Sequence, residues 1–144
     1  MARKAAPTWS SPDAAPSYLG TLYQCTAGPR FQTATGRDNQ THSEQVPVKF
    51  VPAPDGTERS DFKVTNLRFF RWEPGHVNDW HPAPQKQFVI TLSGRGEVEI
   101  AGGQKIAMQP GRIILAEDVT GKGHITRTIG HEVWVRVTIP LAAP

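Results

Sequence analysis

Residues 80–94 read WHPAPQKQFVITLSG. The run from Gln87 to Leu92 is short and apolar, and it stops at Ser93-Gly94. A helix needs about 10–12 residues to present an apolar face, so a run this short between turn residues reads as a strand buried on both sides. Side chains alternate along a strand. If Gln87 points to an interior, Val89 and Thr91 follow it, and Phe88, Ile90 and Leu92 face another sheet or a partner subunit. An amide turned inward among apolar neighbours is costly unless something bonds it. Gln87, Val89 and Thr91 are therefore expected to line a pocket.

The stretches on either side carry the same signal. FKVTNLRFFRW (62–72) is rich in β-branched and aromatic residues and ends at the turn EPGH. GEVEIAGGQKIAM reads as a hairpin turning at Gly102-Gly103, and RIILAE follows the turn MQPG. HITRTI places His124, Thr126 and Thr128 on one face. In HEVWVRVTI, Val133, Val135, Val137 and Ile139 share one face and Trp134, Arg136 and Thr138 the other. From Gly28 to Asp61 the chain is polar, and loops are expected around one or two short strands, VKFV (48–51) being the clearest. YLGTLYQ (18–24) fits a further short strand. No segment holds a helical period between caps. Many short strands with Gly and Pro turns predict an all-β sandwich or barrel.

The chain has 144 residues, enough for one ordinary domain. Residues 1–17, rich in Ala, Pro and Ser, read as a flexible N-terminal arm, and residues 18–144 as a single barrel domain. The net charge is +3, but its cations are scattered. Counterion release on nucleic acid needs them clustered, so no nucleic-acid partner is expected. Cys25 is the only cysteine, which excludes an internal disulfide and a cysteine-based zinc site. Neither a signal-type start nor a membrane-length apolar run is present. A cytoplasmic protein without membrane contact is expected.

Two strands thus offer polar groups to one interior: Gln87, and His124 with Thr126. With His81 at the lip of the first, a His–Gln–His set could hold a divalent metal. Gly75-HVNDW-His81-Pro-Ala83-PQK-Gln87-FVITLS-Gly94 resembles cupin motif 1, in which Gly and five residues precede His-x-His, then Glu and a final Gly. His81 occupies the first histidine position. Ala83 stands in place of the second, and Gln87 in place of the glutamate. Gly111-RIILAEDVTGKG-His124 resembles motif 2, with Glu117 where that motif has proline and a loop about two residues longer. The pairing of WH-x-AP-x-x-Q with Gly-Lys-Gly-His is similar to a subgroup of small bacterial cupins. The resemblance spans residues 62–140.

It implies a cupin barrel, a double-stranded β-helix of jelly-roll type. It also implies pairing as a homodimer, with which the outward face of Phe88, Ile90 and Leu92 is consistent. The implied site is a divalent ion (Zn, Fe, Mn or Ni) held by His81, Gln87 and His124. His42, in the polar segment, is a possible extra ligand, and Glu117 a possible ligand or acid–base group. Glu117 and Asp118 otherwise read as carboxylates capping a loop. Neutral ligands would leave the ion's charge uncompensated. That favours an anionic or carbonyl-containing small molecule and isomerase-, lyase- or cyclase-type Lewis-acid chemistry over oxygenation. The alternative is a metal-free cupin that binds a small metabolite without catalysis.

Overall fold

A computed structural model of the protein describes residues 29–144. The proposed arm, the strand at 18–24 and Cys25 lie outside these residues. The described chain forms β1 (Pro29–Thr35), β2 (Thr41–Pro47), β3 (Val51–Pro52), β4 (Glu58–Arg59), β5 (Arg68–Trp72) and β6 (Val77–His81). It continues with β7 (Gln87–Ser93), β8 (Gly96–Glu99), β9 (Lys105–Met108), β10 (Ile113–Glu117), β11 (His124–Thr128) and β12 (Trp134–Pro140).

One sheet of six strands runs β2-β1-β10-β7-β12-β5, and a second of four runs β6-β11-β8-β9. β3 and β4 form a separate small hairpin. Neighbours in the two large sheets are antiparallel except β1 and β10, which run parallel from Phe31↔Ile114 to Ala34↔Glu117. The described chain is all-β, its one helical element being the short 3-10 turn at Ala101–Gly103. No helix among the described residues is long and apolar enough to cross a membrane.

The apolar filling of β7 to β12 explains why these elements formed where the pattern placed them. Val89, Val98, Ile100, Ile106, Met108, Ile114, Ala116 and Trp134 make one buried cluster, with Phe31 and Trp72 packed against it. Trp134 is fully buried. A side chain of this size removes about 150–250 Å² from water, worth about 4–6 kcal/mol at about 25 cal/mol per Å². Gly96 makes this possible, because a Cβ there would lie 2.4 Å from the indole ring.

The polar segment before residue 62 departs from expectation. Most of it is the regular hairpin β1–β2, paired in register from Pro29↔Pro47 to Thr35↔Thr41. Its sequence, PRFQTAT and THSEQVP, lacks a full apolar alternation; β2 is the edge of its sheet, and β1 lies between it and β10. Edge strands need fewer apolar residues and tolerate polar ones. VKFV yields strand only at Val51, paired with Arg59 in the small hairpin. Likewise the expected strand over 62–72 shortens to β5, and the residues after the EPGH turn form β6.

Candidate active site

β6 and β11 pair so that His81 and His124 are direct cross-strand partners. Their rings meet edge to face, with centroids 4.6 Å apart. Gln87, at the start of β7, is buried and lines the same cavity. The two motif segments therefore converge as their spacing implied. The cavity has a volume of about 360 Å³ and also takes in Val89, Thr126, Trp72, Arg136 and Thr138. That volume is at the small end of ligand pockets, which run about 300–1,000 Å³.

Both imidazoles are pinned through Nδ1, and His81 meets a second partner at Nε2. His124 Nδ1 lies 2.6 Å from Asp118 Oδ2. Asp118 is fully buried, and its carboxylate also accepts hydrogen bonds from Thr33 Oγ1 at 2.8 Å and Thr41 Oγ1 at 3.0 Å. Burial alone would raise the Asp118 carboxyl. The His124 hydrogen bond and charge, with the two threonine hydroxyls, outweigh it and hold the group below the usual carboxylate range. An ionised Asp118 fixes His124 as the Nδ1–H tautomer and leaves the Nε2 lone pair to the cavity. His81 donates Nδ1–H to the Asp79 carbonyl at 2.6 Å, and Asn78 Nδ2 lies 3.2 Å from Nε2. Burial is the main cause that pushes the His81 pKa down. The neighbouring His124 and Arg136 push the same way, while Asp79 and Asp118 oppose them. His81 is thus a neutral ring at neutral pH.

Asp118 corrects the reading of it as a loop cap: it reaches across to His124 and to β1 and β2 instead of capping local amides. The parity of RIILAED carried the signal, since Ile114, Ala116 and Asp118 fall on one face. Arg136 was also missed. Its alternation with Trp134 and Thr138 was visible, but which face of β12 turned inward was not.

The other expected residues divide. Val89 and Thr126 line the cavity. Thr91 is buried, yet it is absent from the lining and accepts the Trp134 indole N–H at 3.1 Å. His42 is exposed and pairs with Asp38 at 2.9 Å, away from the cavity. Glu117 is held by Gln32 at 2.5 Å and Lys86 at 3.2 Å and does not line the cavity. Ala83, where motif 1 has its second histidine, is buried and donates its amide to the Asp118 carbonyl at 2.9 Å. Phe88 and Ile90 face an outer apolar groove with Phe50, Phe62 and Leu67, and Leu92 is exposed.

The Gly-Lys-Gly-His loop holds the two rings in register. Gly123 has a φ of +75°, and a Cβ there would lie 2.0 Å from the His81 carbonyl oxygen. Gly123→Ala is expected to cost about 1–2 kcal/mol for the left-handed backbone alone. Displacement of His81 adds to that, so denaturant midpoints should fall with little change in slope.

Among the described residues, no group of three or more His, Cys, Asp or Glu is placed to hold a metal ion. The possible donors are two imidazoles and the amides of Asn78 and Gln87, none of them anionic, and the Arg136 guanidinium shares their cavity. No carboxylate lines that cavity to balance an ion's charge. This donor set does not fit a resident divalent cation.

Architecture and cavity together define an all-β protein whose small cavity is lined by an imidazole backed by a buried carboxylate. No family model matches the chain, and no curated protein matches it. Solved structures with similar folds include a cupin-like protein from Thermotoga maritima, 20% identical. The match covers 74% of this chain and 75% of that one, with a TM-score of 0.47. An RmlC-like cupin from Desulfovibrio desulfuricans is also 20% identical, over 56% of this chain and 80% of that one, with a TM-score of 0.41. The dTDP-6-deoxy-D-glucose-3,5-epimerase RmlC from Legionella pneumophila, solved with dTDP-4-keto-L-rhamnose, is 10% identical. That match covers 80% of this chain and 74% of the epimerase, with a TM-score of 0.40.

Proposed function

We propose that the protein is an isomerase- or lyase-type enzyme that moves a proton within a small organic molecule, with His124 as the general base. The observation that carries this reading is the His124–Asp118 pair. A carboxylate buried beneath Nδ1 sets the tautomer, orients Nε2 to the cavity and stabilises the imidazolium formed on protonation. In the step, Nε2 takes a proton from a carbon next to a carbonyl. The C–H electron pair moves toward the carbonyl oxygen, and the imidazolium returns the proton to the isomerised carbon. The step needs no oxidant or reductant. The Gln87 amide, on the wall of the same cavity, is the hydrogen-bond donor for the carbonyl end, and neutral His81 stands beside His124. The competing reading, a divalent ion between His81, Gln87 and His124, has their convergence on one cavity in its favour and the Arg136 cation beside them against it.

The test is solvent exchange. Protein purified without chelators is assayed for bound metal by elemental analysis, and then incubated in D₂O with pyruvate, 2-oxobutyrate, acetone and dihydroxyacetone. Loss of the protons next to the carbonyl is followed by NMR. Enzyme-dependent exchange with sub-stoichiometric metal is expected. Stoichiometric metal whose removal ends the exchange would establish the alternative, and no exchange above the protein-free rate would sink the base.

A further inference from the structure

The cavity holds a charge that the proton-transfer step does not use. Arg136, on β12, is part-buried, and burial lowers its pKa to about 10, so it stays charged at neutral pH. Its guanidinium is stacked 3.9 Å from the Trp72 ring centroid, 4.7 Å from Trp134 and 5.3 Å from Phe70. None of the described carboxylates forms an ion pair with it. The Nε of Arg136 is buried without a hydrogen-bond partner.

Two residues along the same strand face, Thr138 is almost wholly buried, and its Oγ1 also lacks a partner. Both side chains line the cavity that holds His124. Arg68, the cross-strand partner of Thr138, adds a second cation to the wall. Buried polar atoms are nearly always hydrogen-bonded, and a buried cation nearly always has a counter-charge. Two such unpartnered groups on one face of β12 suit an acceptor that carries negative charge.

We propose that the substrate bears a carboxylate, which Arg136 grips from its aromatic slot while Thr138 donates its hydroxyl to the same group. The flat guanidinium, confined between rings, suits a planar bidentate acceptor. With Arg136 part-buried and Arg68 exposed at the wall of a small cavity, an organic carboxylate fits better than a phosphate, whose larger charge calls for more enclosed donors. This rests on the cavity being the ligand site, and it names the class of molecule the His124 base acts on. Arg136 would anchor the carboxylate end and leave the carbon beside it to His124.

The inference is tested without turnover. Thermal unfolding is followed in acetate, malonate, pyruvate, phosphate and chloride at equal ionic strength, for the wild type, Arg136→Met and His124→Gln. Carboxylates should raise the wild-type midpoint above its value in chloride. His124→Gln should keep that rise. Arg136→Met should lose it, and should start from a midpoint equal to or above the wild type because an unpartnered charge has gone while the stem still packs on Trp72. A rise in phosphate but not in carboxylates, a rise that survives Arg136→Met, or no rise in any carboxylate would overturn the proposal. So would a ligand-free Arg136→Met midpoint several degrees lower, which would make Arg136 a packing element. Loss of exchange in His124→Gln with carboxylate binding intact separates failure of the base from failure of the anchor.

Discussion

His124→Gln is expected to slow enzyme-dependent proton exchange by about 10²–10⁴-fold, the range in which a positioned general base acts. Glutamine is close in size and can still donate an amide N–H to Asp118, so the fold should persist. What it lacks is a basic nitrogen facing the cavity. His81 cannot take over, because its Nδ1–H is committed to the Asp79 carbonyl and burial depresses its basicity. His42→Gln is the control. That imidazole is exposed and paired with Asp38, so neither exchange nor stability should move. A His124→Gln enzyme that exchanges at the wild-type rate would remove the base from the mechanism.

Asp118→Ala should be the most destabilising single change at the site, by about 3–5 kcal/mol, the range seen when one partner of a buried ion pair is removed. The truncation strands three donors at once: the His124 ring and the hydroxyls of Thr33 and Thr41. Asp118→Asn should cost less, since its amide oxygen still accepts. The two variants also separate the pH dependence. The Asp118 carboxyl is held below its unfolded value of about 3.8, so its stabilisation is complete above that pH and is lost as pH falls through the lower native value. Wild-type stability should therefore drop through that acid range, and Asp118→Asn should drop less. A shallower decline begins higher, as pH falls through about 6.5, where unfolded chains protonate a His81 that the native fold keeps neutral. Urea titrations at several pH values check both. Equal acid slopes in wild type and Asp118→Asn would remove Asp118 as their cause.

The parts of the molecule legible in its sequence are those where burial enforces alternation. β7, the β8–β9 hairpin, β10, β11 and β12 fall within a few residues of their expected places, and the His81, Gln87 and His124 positions converge because motif spacing fixes strand register. The failures share a physical origin. β2 is an edge strand and β1 its neighbour, and the polar residues of this hairpin resemble loop. Asp118 resembles a turn carboxylate because its three partners are distant in sequence. The purpose of Arg136 shows only in what is missing around it, and no local pattern encodes a missing partner. His42 attracted notice through residue type alone, whereas the hairpin turn carries it outward.

The parallel seam between β1 and β10 has a kinetic meaning. Thr33 and Thr41 reach Asp118 across 85 and 77 residues of chain. Contacts of such separation are slow to form, because a long loop must close before they repay its entropy. The pairing of His81 with His124 belongs to the later part of the chain and does not need the first hairpin. A folding barrel can thus bring its rings together before the carboxylate beneath them is clamped. Recovery of proton exchange during refolding should lag the β-sheet signal, making activity a clock for the last closure of the chain.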